Sequence, residues 1–413
     1  MSVKQVFNTS AELDYPTVLP TLDLDFANSK TLDSRITFTR ASGGSYVGAD
    51  GLIKYAGVNE PRFDHDPVTG ESLGLLVEES RTNYHYDSYS SSPNIYTPDG
   101  LLSSNYTTQN FTNSGYTSRR NRIQFNQVLS PGTTYTFSMY IRYYGSPNLG
   151  PKLNIGDYTG DNYGYTTVMI QYSSYDGENF NVIENLRVIE VLQNDWYRVA
   201  LTFNGPISSS STTVPYVYMG GYSSLPELPN FGIQMWQPQL EVGAFATSHI
   251  PPSRTRAADN ASITGKNFSS WYNQSEGTLL WKGIFDSYNS SGSNDALFAI
   301  TDGSVSNRFS IRPRNTLATS SGNTLFESFD WGYTVQSNTY MNGALAIKSG
   351  DYALVTSGAV RNTSSSLSVP QVNRIENFNS IEGGYSVTGI IHHQRITYYP
   401  KRLTNQQLQV LTT

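Results

Sequence analysis

The chain has 413 residues and a net charge of −6, and only 15% of its residues are Asp, Glu, Lys or Arg. Its isoelectric point is near 5.4 and it has no long basic run, so nucleic acid and anionic membrane surfaces are poor candidate partners. Cysteine is absent while Tyr (30) and Gly (34) are abundant, which removes disulfides and thiolate chemistry and suits short strands and turns better than helices.

Two or three domains of an all-β protein are therefore expected. No apolar run approaches the roughly 20 residues that cross a bilayer, and residues 1–10 lack a basic region followed by an apolar core. A soluble, unexported protein without membrane insertion is the expectation. Without disulfides, durability has to come from packing or assembly, which favours a homo-oligomer.

Residues 1–20 contain Pro16 and Pro20 and little periodicity, and read as an N-terminal arm that orders on a partner. From residue 21 the pattern sharpens. Residues 35–40 alternate, placing Ile36 and Phe38 on one strand face. Two hairpins follow, one around Gly-Ala-Asp-Gly (48–51) and one around Asp-Pro-Val-Thr-Gly (66–70), where Pro67 fixes φ and Gly70 closes the loop. The resulting unit, residues 21–85, is too small to bury a generous core and must lean on another part of the chain.

Two runs in this unit carry a resemblance. Residues 24–42, Leu-Asp-Phe-Ala-Asn-Ser-Lys-Thr-Leu-Asp-Ser-Arg-Ile-Thr-Phe-Thr-Arg-Ala-Ser, and residues 59–83, Asn-Glu-Pro-Arg-Phe-Asp-His-Asp-Pro-Val-Thr-Gly-Glu-Ser-Leu-Gly-Leu-Leu-Val-Glu-Glu-Ser-Arg-Thr-Asn, resemble the N-terminal module of tailed-phage structural proteins of the marine and cyanophage type. In that family the module mounts lectin-like β-sandwiches on virion appendages. The resemblance implies a virion address and contacts with other virion proteins through the N-terminal part. Trimers, usual for fibres, are the implied assembly.

Residues 84–115 read as a linker into a new domain. Residues 134–142 then alternate strictly, with Tyr135, Phe137, Met139 and Ile141 on one face. Further strands are expected over 152–155, 165–172, 182–192, 196–203, 215–219 and 231–241, at spacings that suit a sandwich. The run 231–252, with Ile233, Met235, Pro238 and Leu240 toward the sheet, resembles the closing strand of jelly-roll carbohydrate-binding modules, which sets a jelly roll at 86–250. Pro251 and Pro252 then open an expected linker, 251–267.

A second sandwich is expected over 268–413, with strands at 277–285, 296–300, 308–312, 344–348 and 352–355. Its end, residues 389–411, passes from a strand through Pro400 to a short helix capped by Thr404 or Asn405. This ending resembles laminin G-like, concanavalin A-type domains.

Candidate chemistry is sparse. The five histidines, His65, His85, His249, His392 and His393, lack the i, i+4 spacing of a helical zinc site and read as structural. Asp23 and Asp25 share a strand face, and Asp64, Asp66, Glu78 and Glu79 lie on hairpin arms. Paired carboxylates serve glycosidases only beside a sugar-sized cleft. Here they read as solvated, or as partners of Arg35, Arg40, Arg62 and Arg81. The oxygen-rich loops 157–164, 286–295 and 301–304 leave a structural calcium as the one cofactor to consider, though a solvated turn is the simpler reading. No catalytic residue and no other cofactor is expected.

Tyrosine carries the best functional argument, because its ring stacks on sugar faces at low entropic cost. Tyr143, Tyr144, Tyr158, Tyr163, Tyr165, Tyr172 and Tyr175 form a candidate glycan platform, and they suit a subunit interface equally well. The leading expectation is a non-enzymatic phage virion protein, a tail fibre or other surface appendage touching host-surface polysaccharide. The alternatives are a polysaccharide depolymerase of the virion and a ligand-free capsid decoration or adaptor protein.

Overall fold

The computed structural model describes residues 15–85, 94–96, 108–112, 121–124, 130, 132–144, 168–169, 187–194, 196–204, 216–219, 232–288, 298–304, 306–311, 315–320, 324–330, 339–365, 368–377 and 389–413. Within them regular structure is almost wholly antiparallel strand, with two short helices, Gly265–Ser269 and Asn405–Leu411. The all-β expectation holds.

The first strand, Leu22–Asp25, alternates Leu22 and Leu24 inward with Asp23 and Asp25 outward. It does not pair with its neighbours in sequence. Leu22 faces Tyr398 and Leu24 faces Ile396 on the strand Gly389–Tyr399 at the other end of the chain. The hairpin Arg62–His65 and Ser72–Glu78 joins the same sheet, with Leu75 opposite His393 and Val77 opposite Ile391. Counting outward, the sheet runs Ala359–Ser364, Tyr352–Thr356, Thr339–Lys348, Glu276–Tyr288, Gly389–Tyr399, Ser72–Glu78, Arg62–His65, with Leu22–Asp25 also on the 389–399 strand.

A second sheet faces it, in the order Thr37–Thr39, Asn260–Thr264, Arg374–Asn377, Phe298–Thr301, Arg308–Ile311, Asn315–Ser320, Thr324–Asp330. Leu22, Leu24, Phe63, Leu75 and Val77 share one buried cluster with Trp281, Phe298, Ile300, Phe309, Leu345, Ile391 and Tyr398. The expected leaning of the 21–85 unit is thus literal: its apolar faces are part of the C-terminal core. A boundary at 85 separates stretches of sequence that share sheets and core.

Between the two halves of this frame lies the middle of the chain. Arg81–Thr82 pairs with Thr255–Arg256 as a two-stranded neck, so the intervening residues enter and leave side by side. They build a six-stranded sheet, Arg187–Val191, Trp196–Asn204, Thr134–Tyr144, Gly232–Val242, Thr108–Thr112, Asn94–Tyr96, and a three-stranded one, Asn121–Gln124, Tyr216–Met219, Val168–Met169. The Thr134–Tyr144 strand buries Tyr135, Phe137 and Met139 as its alternation predicts, but Thr136, Ser138 and Tyr140 are buried too. Pairing with Gly232–Val242 shifts register between Ser138 and Tyr140, where Gln237 takes φ +49° ahead of Pro238. Proline cannot donate to a ladder, so a bulge is where a sheet accommodates it.

Residues 251–267, expected as a linker, are built in. Arg256 and Asp259 are buried, Asn260–Thr264 pairs with both Thr37–Thr39 and Arg374–Asn377, and Gly265–Ser269 places Phe268 in the core. The two prolines restrict only their own positions, and the chain resumes pairing within three residues. The terminal helix Asn405–Leu411 is capped by Thr404 with a reciprocal Gln407 contact, as the sequence predicts.

Candidate functional site

Where the neck meets both sandwiches, three segments each deliver buried charges to one place. The N-terminal block brings Arg40, Arg62, Glu78, Glu79 and Arg81, the end of the inserted domain brings Glu241, and the return segment brings Arg256 and Asp259. None is more than 9% exposed. Four arginines thus meet four carboxylates, a balanced set in a place where a surplus charge would be costly.

Asp259 sits at the centre. Its Oδ1 accepts from Arg40 Nη1 at 2.9 Å, and its Oδ2 accepts from Arg62 Nη2 and from the Glu78 backbone N–H, the latter at 2.9 Å. Arg62 Nη1 reaches Glu78 Oε2 at 2.6 Å and the Ser45 carbonyl at 2.9 Å. Glu78 also accepts from the backbone N–H of Ser248 at 2.7 Å and from its hydroxyl at 2.5 Å, and Arg256 Nη1 lies 3.2 Å from Oε2. Arg40 spends its remaining donors on the carbonyls of Ser42, Gly57 and Glu60. Glu79 pairs with Arg81, whose guanidinium lies 4.8 Å from the Phe245 ring centroid. Glu241 accepts from Gln239 Nε2 at 2.7 Å and from the Thr247 N–H and hydroxyl at 3.0 and 2.5 Å.

Burial alone would raise the Glu78 pKa, but Arg256, Arg62 and the Ser248 donors outweigh it and hold the carboxyl down at about 2. Glu79, with fewer donors, is pushed by burial up to about 6 against the pull of Arg81. Arg62 is held above its ordinary value by Asp259 and Glu78 despite burial, whereas burial lowers Arg40 and Arg256. Chemically this is a lock: Asp259 holds Arg40 and Arg62 of the N-terminal block, and Glu78 holds Ser248 and Arg256 from beyond the inserted domain.

Two uncharged residues extend the lock into the inserted domain. Asn83 Oδ1 accepts from the N–H groups of Leu240 and His85 at 3.0 and 2.9 Å, and its Nδ2 donates to the carbonyls of Ile250 and Pro238 at 2.9 and 3.3 Å. The bulge at Gln237 is therefore the place where the frame grips the closing strand. His249 stands between Tyr55 of the Ile53–Ala56 strand and the inserted domain's Tyr140 and Trp236, with Tyr55 Oη 2.5 Å from Nδ1 and ring centroids of His249 and Trp236 5.0 Å apart. Burial, reinforced by the Arg198 cation, drives its pKa down to about 3.

A second polar array crosses the frame's first sheet. His392 Nε2 is 2.8 Å from Asp64 Oδ2, and its Nδ1 is 2.7 Å from Asp286 Oδ2. Burial opposes its charge, yet Asp286 and Asp64 together hold the imidazolium up to about 10. Neighbouring His393 points to the other face, where its Nδ1 accepts from Trp281 Nε1 at 2.9 Å. Burial and the His392 charge bring it down to about 3. One histidine is a buried cation and the next is neutral, because strand alternation turns them to opposite sides.

The acidic candidates are accounted for in the same way. Asp23 pairs with Arg395 at 2.5 Å and accepts from Thr397 at 2.9 Å, Asp66 accepts the Val68 and Thr69 N–H groups of its own turn, and Asp25 caps Asn28. The expected arginine partnerships are realised for Arg62 with Glu78 and for Arg81 with Glu79. His65 Nδ1 lies 3.1 Å from the Val47 carbonyl, a structural contact. Of the oxygen-rich loops, Asp302 is taken by the Ser304 N–H and hydroxyl and by Asn307 Nδ2; Asp286 is engaged by His392; the 157–164 loop lies outside the described residues. No group of three metal-ligating side chains occurs among the described residues.

Tyr143 and Tyr144 end the Thr134–Tyr144 strand, their backbones opposite Ile233 and Gly232. Tyr158, Tyr163, Tyr165, Tyr172 and Tyr175 lie outside the described residues. Sequence reasoning missed Asn83, Glu241, Ser248, Arg256 and Asp259 as parts of one site. Arg256 and Asp259 carried a faint signal, two opposite charges three residues apart in a sparsely charged chain, hidden by the prolines before them.

No protein-family model matches the sequence, and no curated protein does. Among solved structures, similarity is found to the Ruminococcus gnavus IT-sialidase CBM40 bound to α2,3-sialyllactose, at 13% identity over 34% of this chain and 83% of that one, TM-score 0.28. Domain 4 of a GH43 extracellular arabinanase from Geobacillus stearothermophilus, in complex with arabinotriose, matches at 11% identity over 38% and 73%, TM-score 0.30. The botulinum neurotoxin type G receptor-binding domain matches at 10% identity over 37% and 39%, TM-score 0.29. With every TM-score below 0.5, these likenesses decide nothing about what this chain binds.

Proposed function

We propose that the chain is a non-enzymatic structural protein of a phage virion, a tail fibre or other surface appendage, that presents its β-sandwiches to host-surface glycans. The observation that carries this reading is the neck with its eight buried charges. It fixes an inserted β domain on a β frame, and its salt bridges engage Glu78 and Glu79, two of the carboxylates that a hydrolase in the N-terminal block would need free. Such a joint suits a protein that must hold a binding domain in one orientation under load. The resemblance of residues 24–42 and 59–83 supports the virion address.

Assembly contacts are assigned to the arm rather than to the hairpins, whose apolar faces are already spent on the frame's core. Tyr15 and Leu19, at the described end of the arm, are 59% and 82% exposed. Gold-labelled antibody against the purified chain should decorate particles at one fixed position. Uniform failure to label intact particles would refute the virion assignment. Retention of the purified protein on host envelope polysaccharide, without release of reducing ends, is the expected result for the binding half.

A further inference from the structure

The hairpin of Gly44–Val47 and Ile53–Ala56 touches both halves of the molecule. Its first arm is tied to the frame, where the Val47 N–H donates to Asp64 Oδ1 at 2.6 Å and the Ser45 carbonyl accepts from Arg62 Nη1 at 2.9 Å. Its second arm rests on the inserted domain, with Ile53 and Tyr55 packed against Tyr140, Leu192, Trp196 and Trp236 in a cluster separate from the frame's core. Gln193 Nε2 donates to the Asp50 carbonyl at the turn, at 3.0 Å, and Ser45 Oγ donates to the His249 carbonyl at 2.9 Å.

His249 stands in this seam, in surroundings that suit only a neutral ring. Its Nδ1 faces the Tyr55 hydroxyl, its Nε2 has no partner among the described residues, and Tyr140 and Trp236 flank the ring. An imidazolium carries two N–H donors. Tyr55 Oη can accept one of them, and the other would lie buried and unmet. Arg198, over the Tyr140 ring and paired with Glu190, adds a like charge nearby. The carboxylates of the adjoining elements are engaged elsewhere: Glu78 by Arg62, Arg256 and Ser248, Asp64 by His392, and Asp50 of the hairpin by Lys54.

Closed in the seam, the ring has its pKa held down at about 3; released to water it regains a value near 6.5. Closure is therefore at full strength above 6.5 and is lost as pH falls from there toward 3. The neck responds in the opposite sense, because burial raises Glu79 to about 6 and the folded state takes up that proton readily. His393 resists protonation as His249 does, but it is sheltered in the frame and is freed only when the Gly389–Tyr399 strand leaves its sheet. Parting one hairpin arm frees a resisting histidine at a smaller loss of packing. We propose that this hairpin is an acid-released latch, in which protonation of His249 parts the Ile53–Ala56 arm from the inserted domain while neck and frame stay closed.

The test exploits a chain that has no thiol of its own. In the full chain, Ile53→Cys places a single thiol in the seam and Leu345→Cys places one in the frame's core, at sites 2% and 1% exposed. Labelling by 4,4′-dithiodipyridine is normalised at each pH to the urea-unfolded chain. From pH 7 to pH 5 the normalised rate at position 53 should rise about 25-fold, while position 345 stays protected. Added to Ile53→Cys, His249→Gln should abolish the rise. Gln193→Ala, at an exposed site, keeps the fold even if the His249 variant does not, and it should speed labelling at position 53 at both pH values with the same ratio between them. A rate at position 53 that ignores pH, a rise that survives His249→Gln, equal rises at positions 53 and 345, or a Gln193 variant labelled no faster than its parent would each overturn the latch.

Discussion

Asp259→Ala is the sharpest perturbation of the junction. The side chain is fully buried and accepts from Arg40, Arg62 and the Glu78 N–H, so its removal leaves four arginines facing three carboxylates. Breaking a buried ion pair by removing one partner costs about 3–5 kcal/mol, against the roughly 5–15 kcal/mol that holds a domain together. Asp259→Asn preserves shape but should recover little, because Oδ1 and Oδ2 both accept from guanidiniums and an amide NH2 must point at one of them. Urea unfolding is the suitable assay, since it leaves ion pairs unscreened, with hydrogen exchange reporting the Ser72–Glu78 strand of the frame and the Gly232–Val242 strand of the inserted domain. Early exchange should appear on both sides of the neck. A loss below about 1 kcal/mol for the alanine variant, or full recovery by asparagine, would refute the claim that Asp259 is the keystone of the lock.

Three further outcomes are expected. His249 has a folded pKa of about 3 against an unfolded value near 6.5, so the folded state resists its protonation and stability falls as pH drops below 6.5. At about 1.4 kcal/mol per pH unit, His249→Gln should lose about 2 kcal/mol less than the parent between pH 6.5 and 5 in matched urea titrations; equal losses would exclude His249 as a source of acid sensitivity. His392 has the opposite sign: its folded pKa near 10 means stabilisation present in full below 6.5 and lost as pH rises through 10. Asp64→Asn should bring the His392 carbon resonances into titration at lower pH, and an unmoved midpoint would show that Asp286 alone holds the charge. Gly74 has φ +100°, and a Cβ there would sit 2.2 Å from the His393 carbonyl oxygen. Gly74→Ala should therefore cost upward of about 2 kcal/mol and accelerate exchange in the Gly389–Tyr399 strand, whereas parent-like exchange would show that the two strands separate freely.

The local grammar of the chain was legible because it depends on near neighbours. The hairpins at 48–51 and 66–70, the alternating strand at Thr134–Tyr144 and the capped helix at Asn405–Leu411 each follow from turn chemistry or periodicity within a dozen residues. Pairing of Leu22–Asp25 with Gly389–Tyr399 did not, since nothing in either strand names a partner at the other end of the chain. The return segment misled for a related reason. Pro251 and Pro252 announce a break, and only the packed structure reveals that Arg256 and Asp259 turn inward three segments deep.

By itself, then, the sequence determined an all-β protein of short antiparallel strands, without thiol chemistry or basic surface, and it marked residues 21–85 as a unit too small to stand alone. What that unit leans on was decided only in three dimensions. Backbone ladders and apolar faces are generic, so many pairings satisfy them equally. Charge balance in a buried junction is not generic: Arg40, Arg62, Arg81 and Arg256 require Glu78, Glu79, Glu241 and Asp259 in one place, and that requirement ties the N-terminal block to the end of the inserted domain and the return segment.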